Sequence, residues 1–260
     1  MSITIQLEHV KLKLGGVLIL SDVSFSVTKG EYVSIIGPNG AGKTSLLRCL
    51  LGMYSHCGTA QINGIESTAY ESRELAKTIS YVPQTHDIEF PLSVYDFVMM
   101  GRYPYLKPLS GESRRDIEAV ENALEMTETG FFRKRTLRTL SGGERQKVYI
   151  AAALAQETPI ILLDEPGTFL DYRHQTEVMK LLKKINTECG ATILAVNHDL
   201  NSAANWSDRL IGLKDGKVFC AGTPDEILQP DPLAALFDTP FLRKETLVPD
   251  TRGINICQNN

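Results

Sequence analysis

The stretch of sequence that decides the fold is residues 32–53, YVSIIGPNGAGKTSLLRCLLGM. A short run of β-favouring residues leads into a segment with P-loop spacing, in which a glycine is followed by four residues, a second glycine, lysine and threonine. Leucines recur behind it at helical spacing, so the pattern predicts a strand, a phosphate-binding loop and an amphipathic helix. That order indicates that the chain binds a nucleoside triphosphate.

The predicted loop would hold its ligand mainly through the backbone. Glycines at 37, 40 and 42 permit the positive φ angles that turn successive N–H groups towards an anion. Lys43 adds a positive charge, Thr44 stands where its hydroxyl can ligate Mg²⁺, and the helix points the positive end of its dipole at the phosphates. The expected nucleotide-binding residues are Gly37, Pro38, Asn39, Gly40, Ala41, Gly42, Lys43, Thr44 and Ser45.

Length and composition are those of one globular domain. The 260 residues are 43% hydrophobic and 22% charged, and the formal net charge is -4. A negative net charge argues against nucleic acid as a partner, although the basic stretch 133–138 either faces an acidic partner or forms a solvated helix face. No run reaches the roughly 18 apolar residues of a membrane span, and the five cysteines lack CxxC spacing. We expect a soluble cytoplasmic protein with reduced thiols.

The periodicity of the sequence changes twice along the chain. Residues 3–36 read as short strands broken at Gly15-Gly16, and Asn63-Gly64 is a hairpin signal. From about Pro91 the pattern becomes helical, and no strand-like run returns until Pro159. We therefore predict an α/β protein with a P-loop NTPase core, an antiparallel β-subdomain and an inserted α-helical subdomain. The single domain, 1–260, would comprise the core with its β-subdomain at 1–86 and 156–260 and the helical subdomain at 87–155.

Two later strands are predicted to end in polar residues beside the P-loop. Residues 159–165, PIILLDE, form an apolar run ending in two carboxylates, which is typical of a strand buried on both faces of a parallel sheet. The next predicted strand, 192–196, is followed by Asn197 and His198. Because open α/β sheets bind ligands at the carboxyl ends of their strands, Asp164, Glu165 and His198 should lie near the phosphates.

Further residues follow in an order that gives the chain a specific resemblance. After the P-loop come Gln84, the string LSGGE at 140–144, Asp164-Glu165, Asp171 and His198. With them the chain resembles the ATP-binding cassette family of transporter ATPases over about residues 3–230. P-loops occur in many NTPases, whereas LSGGE in this position is peculiar to these cassettes.

The resemblance implies roles and cofactors. It makes Glu165 the residue that polarises the attacking water, His198 a contact of the γ-phosphate, and Gln84 a third catalytic residue. The cofactors are ATP and Mg²⁺, with the metal held by Thr44 and Asp164 and with Gln84 nearby. Phosphoryl transfer of this kind is catalysed mainly by positioning and by neutralising charge on the phosphate oxygens.

The resemblance also implies partners. The signature residues would bind the ATP held by a second copy, with Asp171 in a dimer-contact loop, so the chain would form an ATP-dependent homodimer. It would drive separate transmembrane permease subunits from the cytoplasmic face of the membrane, with a substrate-binding protein as an indirect partner. The implied signature residues are Ser141, Gly142, Gly143 and Glu144.

Within the family, three stretches look like the importer cassettes that serve ferric siderophores, haem and vitamin B12. These are 91–94, 100–106 and 198–201, reading PLSV, MGRYPYL and HDLN. Arg102 and Tyr103 are expected to line a groove that receives a permease helix. The alternatives are another importer or an exporter ATPase, and a soluble cassette protein of translation or DNA repair. Proteins of that soluble class usually carry two cassettes or a long coiled-coil insertion.

Two positions depart from the family pattern. Gly167 follows Pro166 where the family usually has threonine, and this glycine is expected to loosen the approach to Asp171. The aromatic residue that usually stacks on adenine falls at Leu14, which offers apolar contact without a π-face. Either Leu14 faces the base, or another ring such as Tyr32 or one from the partner takes its place.

Overall fold

A single mixed sheet organises the computed structural model, which describes residues 2–84, 91–107 and 111–242. Its strands are β1 (Ile3–Leu14), β2 (Val17–Thr28), β3 (Tyr32–Ile36), β4 (Cys57–Ile62), β5 (Ile65–Glu66), β6 (Ile79–Val82), β7 (Ile160–Asp164), β8 (Thr192–Val196), β9 (Arg209–Lys214) and β10 (Lys217–Gly222). Across the sheet they lie in the order β5-β4-β1-β2-β10-β9-β3-β8-β7-β6.

The sheet divides into an antiparallel part and a parallel part. Strands β5, β4, β1 and β2 pair antiparallel, whereas β3, β8, β7 and β6 pair parallel. Every residue of β3, β7 and β8 is buried, as their apolar runs predict. The predicted P-loop core with an antiparallel β-region is confirmed. The expectation of short strands at 3–36 is wrong, because β1 and β2 each run for 12 residues around the turn at Gly15-Gly16.

Local sequence sets where the helices begin and end. They are α1 (Lys43–Leu50), α2 (Ser72–Thr78), α3 (Val94–Met100), α4 (Arg114–Met126), α5 (Gly142–Ala155), α6 (Tyr172–Cys189), α7 (Leu200–Trp206), α8 (Pro224–Ile227) and α9 (Pro230–Phe237). Ser141 caps α5 in a reciprocal capping box with Glu144, and Asp171 caps α6. Helix α6 ends at Gly190, whose φ of 66° is the left-handed conformation that glycine adopts easily.

Helices α3, α4 and α5 pack around an apolar core of their own. Buried residues from all three meet there, among them Val98, Val120 and Val148. The predicted boundary between residues 86 and 87 and the tail beyond Val248 lie outside the described residues. No helix in the described part of the chain has the length and apolar character needed to cross a bilayer. The cysteines in these residues, Cys49, Cys57, Cys189 and Cys220, are free thiols.

The prediction that Arg102 lines a surface groove is wrong, because its side chain is only 1% exposed. Its Nε donates to Oδ1 of Asp116 at 2.9 Å, and its Nη1 donates to the carbonyl of Ala155 at 2.6 Å and to Oε2 of Glu157 at 2.8 Å. We call these four residues the insert joint. The joint ties the end of α3 to the first turn of α4 and the last turn of α5.

Candidate nucleotide-binding site

The loop between β3 and α1 needs glycine because the chain packs tightly around it. Gly37 has a φ of 147°, and a Cβ there would lie 2.0 Å from the carbonyl oxygen of Leu213. Gly42 has a φ of 97°, and a Cβ there would lie 2.6 Å from Cδ2 of Leu20. Any larger residue would displace the neighbouring strands, so these glycines fix the shape of the loop.

Lys43 holds this loop from the inside. Its Nζ donates to the carbonyls of Gly37 at 2.8 Å and Pro38 at 2.9 Å, and the residue is buried. Burial lowers the pKa of the ammonium group, and the nearby carboxylates of Glu165 and Asp164 oppose that change. The amine therefore sits between the loop and the acidic end of β7.

Asp164 meets the P-loop helix at the end of β7. The Thr44 hydroxyl donates to Oδ1 of Asp164 at 3.0 Å, and the Tyr81 hydroxyl donates to Oδ2 at 3.3 Å. Burial raises the pKa of Asp164 in spite of these two bonds, and the negative charge of Glu165 acts in the same direction. Burial beside Asp164 also raises the pKa of Tyr81 to about 12, so Tyr81 remains a neutral hydrogen-bond donor.

Glu165 is held by two neutral donors. Nε2 of Gln84 donates to Oε2 of Glu165 at 2.7 Å, and the Thr168 hydroxyl donates to the same oxygen at 2.9 Å. The backbone of Glu165 has a φ of 52°, an uncommon conformation for a non-glycine residue. The structure thus brings Gln84 to Glu165 and places Thr44 beside Asp164.

A cleft of about 590 Å³ opens between these groups, and we call it the phosphate cleft. His198 reaches it from the carboxyl end of β8, where its Nε2 lies 2.7 Å from Oδ1 of Asn39. The three polar ends predicted from β3, β7 and β8 therefore meet at one edge of the sheet. Beyond the P-loop, the cleft is lined by Ile19, Gln84, Glu165, Thr168, Phe169 and His198.

Neither of the expected base contacts lines the phosphate cleft. Tyr32 is fully buried and packs in the core beneath α6, so the suggestion that its ring takes the adenine is wrong. Leu14 is half-buried and packs against the core of the β-region. Ile19, five residues after Leu14, is the apolar side chain of this hairpin that does line the phosphate cleft.

The signature residues lie at a second surface, apart from the phosphate cleft. Ser141 accepts a hydrogen bond from the Glu144 N–H at 3.3 Å, while the Ser141 N–H donates to Glu144 at 2.8 Å. The bond from the Ser141 backbone lowers the pKa of Glu144. Among the described residues that line the phosphate cleft, none belongs to the signature turn 141–144 or is Asp171. One chain therefore does not bring its own signature to its own P-loop.

Three residues of this region were not predicted. Tyr81 and Thr168 have no motif of their own, and only their places beside Gln84 and Glu165 could have pointed to them. Phe169 is 87% exposed with a φ of 64°, which is unusual for a bulky residue. Gly167 packs closely on Gln175: a Cβ there would lie 3.1 Å from Cγ of that residue, so a threonine at this position would require the Gln175 side chain to shift.

The oxygen atoms at the end of β7 suit a hard divalent cation. Mg²⁺ is usually held by one or two carboxylates, phosphate oxygens and water, and the Thr44 hydroxyl with the Asp164 carboxylate offers such a set. In the described residues no group of three or more His, Cys, Asp and Glu forms a cage of its own. Thr44 and Asp164 therefore fit a metal ion whose remaining ligands are nucleotide phosphates and water.

Comparison with known proteins places these features in a family. The model of the ABC transporter family matches residues 20–168. The iron(3+)-hydroxamate import ATP-binding protein of Bacillus subtilis is 39% identical over 231 residues, covering 88% of this chain and 86% of that protein. The span 20–168 matched by the family model includes the P-loop, the signature and the acidic end of β7.

Solved structures agree with this assignment. An inward-facing metal-chelate type ABC transporter superposes with a TM-score of 0.81 at 29% identity, covering 92% of this chain and 90% of that one. An ATP-binding cassette solved as a dimer in a post-hydrolysis state, bound to ADP and Pi, superposes with a TM-score of 0.73 at 34% identity. That superposition covers 85% of this chain and 98% of the solved cassette.

Proposed function

Because the chain belongs to the ABC transporter family, whose ATPases hydrolyse ATP, we propose that it energises a separate membrane permease importing an iron chelate, haem or vitamin B12. A ferric siderophore is the first choice of cargo. The observation that carries this choice is the likeness to an iron(3+)-hydroxamate import protein over most of both chains. The likeness to a metal-chelate transporter supports it, and both weigh against an exporter or a non-transport cassette.

Glu165 is the proposed base for hydrolysis. Gln84 and Thr168 hold one carboxylate oxygen, so the other is left to orient and polarise a water for attack on the γ-phosphate. His198, which also lines the phosphate cleft, would donate to a γ-phosphate oxygen in place of its present contact with Asn39. Gln84 would then act by orienting Glu165.

Nucleotide and Mg²⁺ would bind together at the P-loop. The loop N–H groups and Lys43 would bind the phosphates, and Thr44 and Asp164 would hold the metal. Bound there, Mg²⁺ would neutralise charge on the phosphate oxygens. Gln84 would have only its amide oxygen to offer as a further ligand, because its Nε2 donates to Glu165.

The partner at the signature is proposed to be a second copy of this chain. Cassettes of this family dimerise, and a related cassette has been solved as a dimer with ADP and Pi. The signature turn presents the N-terminus of α5, which suits the phosphates of an ATP held by another copy. Asp171 would lie in the same contact, and ATP would complete two composite sites.

The proposed docking groove for the permease lies between α2 and the loop that follows α3. Its cavity of about 750 Å³ is lined by residues such as Ala76, Tyr103 and Leu106. Tyr103 is 78% exposed and offers an aromatic anchor, while Arg73 crosses the groove and donates to the carbonyl of Pro104 at 2.7 Å. Docking there would hold the chain at the cytoplasmic face of the membrane.

The test is reconstitution with the permease subunits purified from the same cells. Proteoliposomes containing both would be given binding protein loaded with ferric siderophore, haem or cobalamin, and ATP hydrolysis and cargo uptake would be measured. We expect the siderophore-loaded protein to stimulate both. Tyr103→Ala should abolish the stimulation while leaving basal hydrolysis unchanged. Stimulation by none of the three would contradict the proposed cargo class.

A further inference from the structure

His174 touches two elements that the proposed homodimer presents to its second copy. Its Nδ1 lies 2.7 Å from Oδ2 of Asp171, and its backbone N–H donates to Oδ1 of the same carboxylate at 2.9 Å. A Cβ built on Gly143 would lie 2.5 Å from both Cγ and Cδ2 of the His174 ring. The imidazole therefore packs directly on the signature glycine while it holds Asp171.

The contact around His174 extends along both helices. On one side, a Cβ on Gly142 would lie 3.6 Å from Cδ2 of Leu170. On the other, Nζ of Lys147 lies 2.7 Å from Oε2 of Glu177, and both side chains are largely buried. Residues 142–147 at the start of α5 and residues 170–177 at and before the start of α6 thus form a continuous seam. His174 is the residue in that seam that contacts both the signature turn and Asp171.

The ring of His174 does more than complete a helix cap. Asp171 already caps α6 by accepting from the backbone N–H of His174, which is all that an N-cap requires. The second bond, from the ring, restrains the carboxylate with both of its oxygens. The same ring leaves no space for a side chain at position 143. Glycine at 143 is therefore needed inside one chain, whatever it does towards a phosphate.

We propose that His174 is a positioning residue that locks the signature turn and the loop 166–171 into one rigid surface for the second copy. This proposal rests on the homodimer proposed above. Without the ring, each element would have to be ordered separately when two copies meet, and that ordering would weaken their association. ATP binding to a single chain would not change, because His174 does not line the phosphate cleft.

The first test uses the single chain and does not depend on dimerisation. Hydrogen exchange of His174→Ala should be faster in peptides covering 141–145 and 166–171, and unchanged in the second half of α5. His9→Ala is the matched control, because His9 also pairs with an aspartate, at 3.0 Å from Asp22, but lies in the β-region. Unchanged exchange in either of the two segments would overturn the proposal.

The second test measures ATP-driven dimerisation by analytical ultracentrifugation in a Glu165→Gln background. His174→Ala should raise the dimer dissociation constant about five-fold or more. His174→Asn keeps an N–H donor for Asp171 and should recover part of the loss. Equal dimerisation of the parent and His174→Ala would overturn the proposal. A parent that does not dimerise with ATP would instead overturn the homodimer, while exchange in the single chain still decides whether His174 joins the two elements.

Gly143→Ala completes a double-mutant cycle. Alone, this substitution should push the His174 ring away and so speed hydrogen exchange in the loop 166–171. Position 143 lies outside that loop, so the ring would have to transmit the effect. Combined with His174→Ala it should add little in that loop, because the ring that it displaces is already gone. Additive effects of the two substitutions on that loop would show that the glycine and the histidine act independently, and would overturn the proposal.

Discussion

Two buried aspartates, one beside the P-loop and one in the helical insert, differ in the direction in which their pKa is shifted. At Asp164, beside the phosphate cleft, burial raises the pKa and the bonds from Thr44 and Tyr81 do not offset it. At Asp116, in the insert joint, burial acts in the same direction but hydrogen bonds from Ser113 and Arg102 outweigh it, so the pKa is lowered. Asp116 forms a direct ion pair with Arg102 in the joint, whereas Asp164 has no such pair among the described residues.

The difference separates a structural charge cluster from a site prepared for a ligand. The joint has a guanidinium for its two carboxylates and stabilises the packing of α3, α4 and α5. Among the described residues, Asp164 forms no ion pair: Arg48 and Lys43 act on it only at longer range, and the Lys43 ammonium is bonded to loop carbonyls. A bound Mg²⁺ would supply the missing positive charge, which is the arrangement expected of a nucleotide site.

The largest expected effect falls on Glu165 in the cleft. Glu165→Gln removes the carboxylate proposed to polarise water, so turnover should fall about 100-fold or more while ATP binding persists. Phosphate release and calorimetry measure the two quantities. Glu118→Gln, at an exposed position on α4, is the control. Near-normal hydrolysis by Glu165→Gln would remove this residue from the mechanism, and light scattering should show the ATP-bound dimer accumulating.

Arg102→Met tests the insert joint. It leaves two carboxylates without their buried partner, so the free energy of unfolding should drop by about 3–5 kcal/mol. Arg114→Met removes an ion pair with Glu118 whose arginine is 93% exposed, and it should cost at most about 1 kcal/mol. Urea titration of both variants decides the matter. Equal small losses would mean that the joint does not stabilise the fold.

The two regions also differ in how far the sequence predicts them. The cleft was predictable because its residues follow one another in short motifs, and because parallel strands bring their carboxyl ends to one edge. The joint was not, because Arg102 meets Asp116 and Glu157 at separations of 14 and 55 residues with no periodic signal. Arginine is mostly exposed in proteins, so a surface role was the natural expectation. Tyr32 was misplaced for a related reason, since a tyrosine beside the P-loop strand gives no sign of which face it occupies.

Lys43→Ala should weaken ATP binding, because the P-loop loses its side-chain cation. Hydrogen bonds to charged groups contribute about 1.5–3 kcal/mol, which corresponds to a dissociation constant roughly 10- to 150-fold higher. The loop would also lose the bonds from Nζ to Gly37 and Pro38. Calorimetry with Lys13→Ala, on an exposed position of β1, provides the comparison. An unchanged affinity would contradict the assignment of the P-loop.

The opposite pKa directions of the two aspartates lead to opposite effects on stability. Asp164→Asn removes a charge that burial disfavours and that no ion pair compensates among the described residues, so without nucleotide the free energy of unfolding should rise by about 0.5–2 kcal/mol. Asp116→Asn should lower it, because it weakens the joint around Arg102. Denaturant titration at neutral pH compares the two. A loss of stability in both variants would mean that Thr44 and Tyr81 already compensate the charge of Asp164.

The smallest expected effect concerns the base. Stacking on an aromatic ring is worth about 1–3 kcal/mol per base, and Leu14 lacks the ring that the family uses. Leu14→Tyr should tighten ATP binding by only a few-fold, because position 14 is half-buried against the core and part of the new ring would pack there.

Val17→Tyr is the matched control, since Val17 pairs with Leu14 across the hairpin and is 62% exposed. Calorimetry with ATP and GTP distinguishes the outcomes. A gain confined to Leu14→Tyr and larger for ATP places position 14 beside adenine. No gain would contradict that placement and would make Ile19, which does line the cleft, the next side chain to test as the contact of the nucleoside.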